Sequence, residues 1–494
     1  MSSPTGQTTV PRSRGDTADL APEVPSWAFV LLWSALEPHR VGEVAFLKAF
    51  ETSFVGRGDD DLDKFAYFAK QRSGEPFPPR SREGLLKGEN LSRRQLALLP
   101  KAVGVEMEQV GSCTTSVNGE EKRRAILKEG DTILIHGQAL LLCVMRPRTL
   151  PGARLLHVFG GPDAYKIVGE GPQAARLRDE LAQAAPTDDL VMLLGESGSG
   201  KELAAAVLHE ASKRAKGPFV RHNASNFTSS VLDTQLYGHP ADFPSKGTQE
   251  RKGLVEAAHG GTLFLDEVGD CTLEAQAHML RLLDDGTYRR VSEVAERRVD
   301  IRVIGATNRD EGAFRGDFRA RFGCDIRIAP LRERREDIPL LIRHWLLLRA
   351  QKEPKIAGRF LYVGPTGSME PRISAHLVDF LVRHPHPRNV RGLNTLLLQA
   401  YKANAAVEGN DQLKMPSWMR SAGTSDTSPP TEAEAKGEAQ GRGRADTPDK
   451  EEVVECLAAE GGNVSRAAKR LGVHRNVLYR LMREYGIERG DGEA

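Results

Sequence analysis

The sequence predicts a multidomain chain built from a small all-β module, a parallel α/β domain with a helical extension, and an all-α module at the C-terminal end. Three observations carry this. Up to about residue 144, short apolar runs alternate with Gly and Asp turns. From His157 to about Gly409, apolar strands alternate with amphipathic helices. After a stretch rich in Ser, Thr, Pro and Gly, helical periodicity returns. The length of 494 residues suits about three domains at roughly 100 to 200 residues each.

In chain order, residues 1–24 read as a solvated tail. Residues 25–147 form the β module, with strands expected at Phe29–Trp33, Val103–Met107, Thr132–Ile135 and Leu140–Val144, and a turn at Gly130-Asp131. Residues 157–335 are the α/β unit and 336–410 its helical lid. The interval 411–447 reads as a flexible linker, because Ser421 to Thr447 lack the apolar surface needed to offset chain entropy. Residues 448–494 are short enough for one helical module.

Lys and Arg total 69 against 67 Asp and Glu, a net charge of +2, so any nucleic-acid contact must be local rather than a general coating. The five cysteines stand singly with no CxxC pair, which argues against zinc ribbons and disulfide frameworks and suits a reducing cytoplasm. The longest apolar run, Trp27–Leu36, is about half the roughly 20 residues that span a bilayer, so no membrane partner is expected.

The chemistry is concentrated in the α/β unit. An apolar strand, Val191 to Leu194, leads into GESGSGKE, and a helical pattern follows. Gly195, Glu196, Ser197, Gly198, Ser199 and Gly200 can turn successive amides toward a phosphate, the helix adds its positive dipole end, and Lys201 reaches the outer phosphates. Glu202 stands where such loops usually carry a Ser or Thr magnesium ligand. A second apolar strand ends in Asp266 and Glu267, placed to hold magnesium and to polarise the attacking water. A third, Val299 to Ile304, ends in a polar rim where Thr307 and Asn308 could sense the γ-phosphate. ATP and Mg2+ are the implied ligands.

With these motifs in order, residues from about Lys166 to Gly409 resemble the AAA+ domain of the sigma-54-dependent enhancer-binding transcription activators. In that family a Glu at the position of Glu202 is normal. The resemblance implies that Asn223, in PFVRHN, is a switch restraining the catalytic Glu. It also implies that Arg315 and Arg321, in FRGDFRAR, act as arginine fingers across a subunit boundary, and that Arg391, in HPRNVRGL, senses nucleotide from the lid. A fixed guanidinium charge suits both jobs. Fingers acting in trans imply a ring, a hexameric homo-oligomer.

One stretch departs from the family. Where its members carry GHEKGAFTGA, the loop that touches sigma-54, this chain reads LYGHPADFPSKG from Leu236 to Gly247. Aligned on Gly238-His239, it lacks a residue, keeps the aromatic Phe243, and has Pro244 in place of the contacting Thr. Proline fixes φ and removes an amide donor, so the tip would be stiffer. Two outputs therefore stay open: ATP-driven remodelling of RNA polymerase carrying sigma-54, and a phospho-signal-responsive DNA-binding regulator or repressor that never meets sigma-54.

The C-terminal module reads as helix, turn, helix, with Ala467, Leu471, Val473 and Leu478 in the apolar seam. That leaves His474, Arg475, Asn476, Tyr479 and Arg480 for DNA groove and phosphates. It is similar to the Fis-type DNA-binding domain, which implies upstream, enhancer-like DNA sites. The β module resembles a forkhead-associated (FHA) phosphopeptide-binding sandwich through Val55-Gly56-Arg57, Asn90-Leu91-Ser92-Arg93-Arg94, Gly111-Ser112 and Val117-Asn118-Gly119. Arg57, Ser92 and Arg93 would hold the phosphate of a phosphothreonine partner by charge-assisted bonds. Gln95 stands where the family has a structural His, and Thr114 where an Asn grips the peptide.

Overall fold

The computed structural model describes residues 25–152, 157–226, 229–422 and 454. The readings on His474, Arg475, Asn476, Tyr479 and Arg480 lie outside the described residues.

The β module is a two-sheet antiparallel sandwich of ten strands: β1 (Ser26–Ser34), β2 (Val44–Phe46), β3 (Ser53–Val55), β4 (Leu96–Lys101), β5 (Gly104–Gln109), β6 (Thr115–Val117), β7 (Glu120–Glu121), β8 (Arg124–Leu127), β9 (Thr132–Ile135) and β10 (Ala139–Arg146). One sheet runs β2-β1-β10-β9-β6-β7 and the other β3-β4-β5-β8. Successive side chains on a strand face opposite ways, and in β1 both sets are apolar. Phe29 and Leu31 meet Leu96 and Leu98 of the second sheet inside the sandwich. Val30 and Leu32 face outward, and the lid covers them.

The α/β unit comprises α1 (Pro172–Ala184), β11 (Val191–Leu194), α2 (Lys201–Glu210), β12 (Phe219–Asn223), α3 (Ser229–Leu236), a small hairpin of β13 (Gly238–His239) and β14 (Arg251–Lys252), α4 (Leu254–Ala257), β15 (Thr262–Asp266), α5 (Leu273–Asp285), a second hairpin of β16 (Thr287–Tyr288) and β17 (Arg297–Arg298), β18 (Arg302–Thr307), α6 (Gly316–Arg319) and β19 (Cys324–Arg327). Its five-stranded parallel sheet has the order β12-β15-β18-β11-β19. Helix boundaries follow local chemistry: Pro172 opens α1, and the Thr272 hydroxyl accepts from the Ala275 amide to cap α5, which Gly286 ends at φ 71°. Arg302 lies fully buried in β18 and donates to the carbonyls of Ala184, Ala185 and Asp189, so a strand residue closes the C-terminal end of α1.

The lid holds α7 (Ile338–Lys352), α8 (Pro354–Ala357), a hairpin of β20 (Leu361–Val363) and β21 (Met369–Pro371), α9 (Ala375–Arg383), α10 (Asn389–Ala405) and α11 (Ser417–Ala422). Order continues past residue 410: Leu413 bridges to Ile373, and Met419 is buried. Helix α9 lies across β1, β9 and β10, where Thr132 donates to Asp379 and the Trp33 indole donates to the Ile373 carbonyl at 2.9 Å. Sandwich and lid therefore share one apolar cluster.

Candidate nucleotide site

The strand tips of the parallel sheet and the lid enclose a cleft of about 910 Å³. Strand β11 is buried on both faces and delivers the chain at its C-terminal edge, where sheets of this kind bind ligands. The loop turns through Gly198 (φ +76°) and Gly200 (φ +119°), a region that side chains with a Cβ rarely adopt. At Gly198 a Cβ would also stand 2.5 Å from the Arg388 carbonyl, so only glycine lets the lid come this close.

Ser197, Gly198, Ser199, Gly200, Lys201 and Glu202 line the cleft, as do Asn223, Asp266, Glu267 and Arg391. The Lys201 ammonium donates to the Gly195 carbonyl at 2.9 Å and lies 3.7 Å from Glu267. Burial raises the Asp266 carboxyl above its usual range, against the pull of Lys201 and of a hydrogen bond from the Glu267 amide. Glu267 itself sits at φ 52°, in the left-handed region that non-glycine residues occupy mainly where surroundings compel it. The Ser199 hydroxyl and one Glu267 carboxylate oxygen are buried without a partner, an arrangement that fits a polyphosphate and its metal ion.

Other expected residues are arranged differently. Asn223 is in register with Asp266, but its side-chain oxygen accepts from Ser225 rather than contacting Glu267. Gly195, Glu196, Thr307 and Asn308 line an adjoining groove of about 410 Å³. Arg315 pairs with Asp317 at 2.9 Å and Arg321 with Asp284, and neither lines the cleft of its own chain.

Two residues that motif reading passes over tie the lid to the phosphate loop. Asn389, fully buried at φ 50°, accepts from the Leu331 amide and donates to Glu196 and to the Ser197 carbonyl. Arg334 donates to the Ser199 carbonyl at 2.8 Å. The only sequence signal for Asn389 is its place two residues before Arg391.

On the sandwich, the Arg57 amide donates to the Ser92 carbonyl, and the Ser112 amide donates to the Ser92 hydroxyl, so these loops are tied together. Arg57 and Arg93 are exposed there. Buried Gln95 bonds both the carbonyl and the amide of Cys113, so it braces the loop at the position where the resemblance places a His.

The hairpin that departs from the family closes on itself. The Asp242 amide donates to the Thr248 carbonyl at 2.8 Å, the Gly247 amide to the Asp242 carboxylate at 2.7 Å, and the Thr248 hydroxyl to the Ser245 carbonyl at 2.8 Å.

Residues 167–329 match the sigma-54 interaction domain, and residues 448–485 match the Fis family of bacterial regulatory proteins. The chain is 32% identical to the regulatory protein AtoC of Escherichia coli over 66% of its own length and 68% of that protein's. It is 34% identical to the C4-dicarboxylate transport transcriptional regulatory protein DctD of Rhizobium meliloti, covering 70% and 69%. Against the DNA-binding transcriptional regulator NtrC of Azospirillum brasilense it is 33% identical, covering 70% and 74%. No helix among the described residues is long and apolar enough to cross a membrane.

Proposed function

Because the chain belongs to the family of sigma-54 activators, with an AAA+ ATPase domain and a Fis-type DNA-binding module, we propose that it assembles on upstream DNA as a hexameric ring and couples ATP hydrolysis to remodelling of sigma-54 RNA polymerase. The observation that carries this reading is the convergence of Lys201, Asp266, Glu267, Asn223 and Arg391 on one cleft. On ATP binding, Lys201 would exchange the Gly195 carbonyl for the outer phosphates. Asp266 would hold magnesium, which offsets charge on the β- and γ-phosphates. Glu267 would orient the attacking water through its unpartnered oxygen, and Asn223, one strand away, would restrain it between cycles. Arg391 would read the γ-phosphate from the lid, while Arg315 and Arg321 would leave their carboxylates for the cleft of a neighbouring subunit.

The test is open-complex formation by sigma-54 holoenzyme with the full-length protein and ATP. Opening that requires ATP is the expected result, and none at saturating protein and ATP would overturn the polymerase step. The self-closed hairpin at 236–253 favours a second reading, in which the ring binds DNA and ATP without meeting sigma-54. Capture of sigma-54 in the presence of a nucleotide transition-state analogue would exclude it. For the sandwich, exposed Arg57 and Arg93 beside Ser92 support an FHA-like site for a phosphothreonine peptide. Titration with phosphorylated and unphosphorylated forms of one peptide tests this, and equal affinity would sink it.

A further inference from the structure

Four consecutive residues leading into α7 each touch a different part of the molecule. Arg334 holds the Ser199 carbonyl of the phosphate loop at 2.8 Å. Arg335 lies against the turn between β8 and β9, where a Cβ on Gly130 would be 3.4 Å from its guanidinium. Glu336 pairs with Arg146 of β10 at 2.8 Å, and Asp337 accepts from the amides of Glu170 and Gly171 at the N-terminal end of α1. The backbone allows little slack among them, since successive 3-10 turns span 331–333 and 335–337 and the Asp337 amide returns to the Arg334 carbonyl at 3.1 Å.

The Arg146–Glu336 pair is sealed inside the seam, with side chains 2% and 11% exposed. Arg146 also donates to the Glu170 carbonyl. A charge taken out of water this completely is costly unless its partner stays in place, so the pair resists any shift of the turn relative to the sandwich. The same turn carries Arg334, whose guanidinium sets the orientation of a phosphate-loop peptide. Rotation of that peptide would swing the neighbouring Gly200 amide, one of those available to a phosphate.

We propose that Arg146, a sandwich residue remote from the cleft, is a positioning residue for ATP hydrolysis: through Glu336 it fixes the 334–337 turn, and through Arg334 it fixes the phosphate loop. The sandwich is then a working part of the nucleotide machine as well as a module docked beside it.

The experiment uses full-length protein and reads the ATP KM, kcat and thermal melting. Arg146→Met strands a buried carboxylate and could unfold the seam, so the informative variant is R146M/E336M, in which an apolar pair of similar volume replaces the ion pair. Expected are a native-like melt and an ATP KM raised about tenfold, with R146K returning it to within about threefold. In an Arg334→Met background the R146M/E336M change should add little further, because both act through one contact. A folded R146M/E336M protein with KM and kcat within about twofold of native would overturn the proposal, as would effects of the two sites that simply multiply.

Discussion

The nucleotide cleft and the 236–253 hairpin lie in the same α/β unit, yet they treat their polar groups in opposite ways. In the cleft, the Ser199 hydroxyl and a Glu267 oxygen are buried with no partner, and Glu267 holds a left-handed backbone. In the hairpin, Asp242 accepts from the Gly247 amide while its own amide reaches Thr248, and the Thr248 hydroxyl reaches Ser245. An unsatisfied buried polar group costs about 1–3 kcal/mol, a cost that a bound polyphosphate and its metal ion would offset in the cleft. A loop that satisfies itself must give up such bonds before it can bind anything else. The cleft leaves buried polar groups open to a ligand, and the hairpin satisfies its own.

Four experiments press on this contrast. The largest effect is expected from Arg315→Ala or Arg321→Ala: as the trans-acting fingers proposed above, loss of either should lower hydrolysis about a thousandfold. Mixing either with Glu267→Gln should restore part of the rate, since one subunit keeps its carboxylate and the other its fingers. No recovery in mixed rings would place the arginines outside the neighbouring cleft. Glu267→Gln alone should cut turnover by roughly a hundredfold or more while nucleotide binding persists, and unchanged turnover would remove Glu267 from the chemistry.

The third experiment is a pH series on the turn that carries Asn389. Burial pushes His386 down to about 4, the Leu381 carbonyl bond opposing it, and one ring nitrogen has no partner. A depressed folded value means that stability is complete above the unfolded value near 6.5 and declines as pH falls toward 4. Denaturant melts should lose about 2 kcal/mol between pH 7 and pH 5 from this group, and His386→Gln should flatten that part of the curve. The smallest effect is expected in the hairpin: Asp242→Ala should cost about 1 kcal/mol of local stability and leave the ATP KM unmoved. A shift in KM would show that hairpin and cleft are already coupled.

Sequence made the cleft legible wherever function rests on neighbouring residues, as in the phosphate loop and the Asp266-Glu267 strand end. It was silent where one side chain acts across the chain. Arg334 is 135 residues from the Ser199 carbonyl it holds, and Arg302 is 118 from the Ala184 carbonyl it closes. Such bonds depend on the fold that brings the partners together, so no local pattern announces them. The run Trp27–Leu36 was informative in another way. Its length, about half a bilayer span, argued against a membrane helix, and its lack of polar alternation marks a strand buried on both faces.

That two-faced strand bears on how the molecule comes apart. Phe29 and Leu31 belong to one core and Val30 and Leu32 to another, so β1 cannot leave either without disturbing both. Heating should therefore give a single calorimetric transition for sandwich and lid, with no intermediate in which one has melted and the other survives.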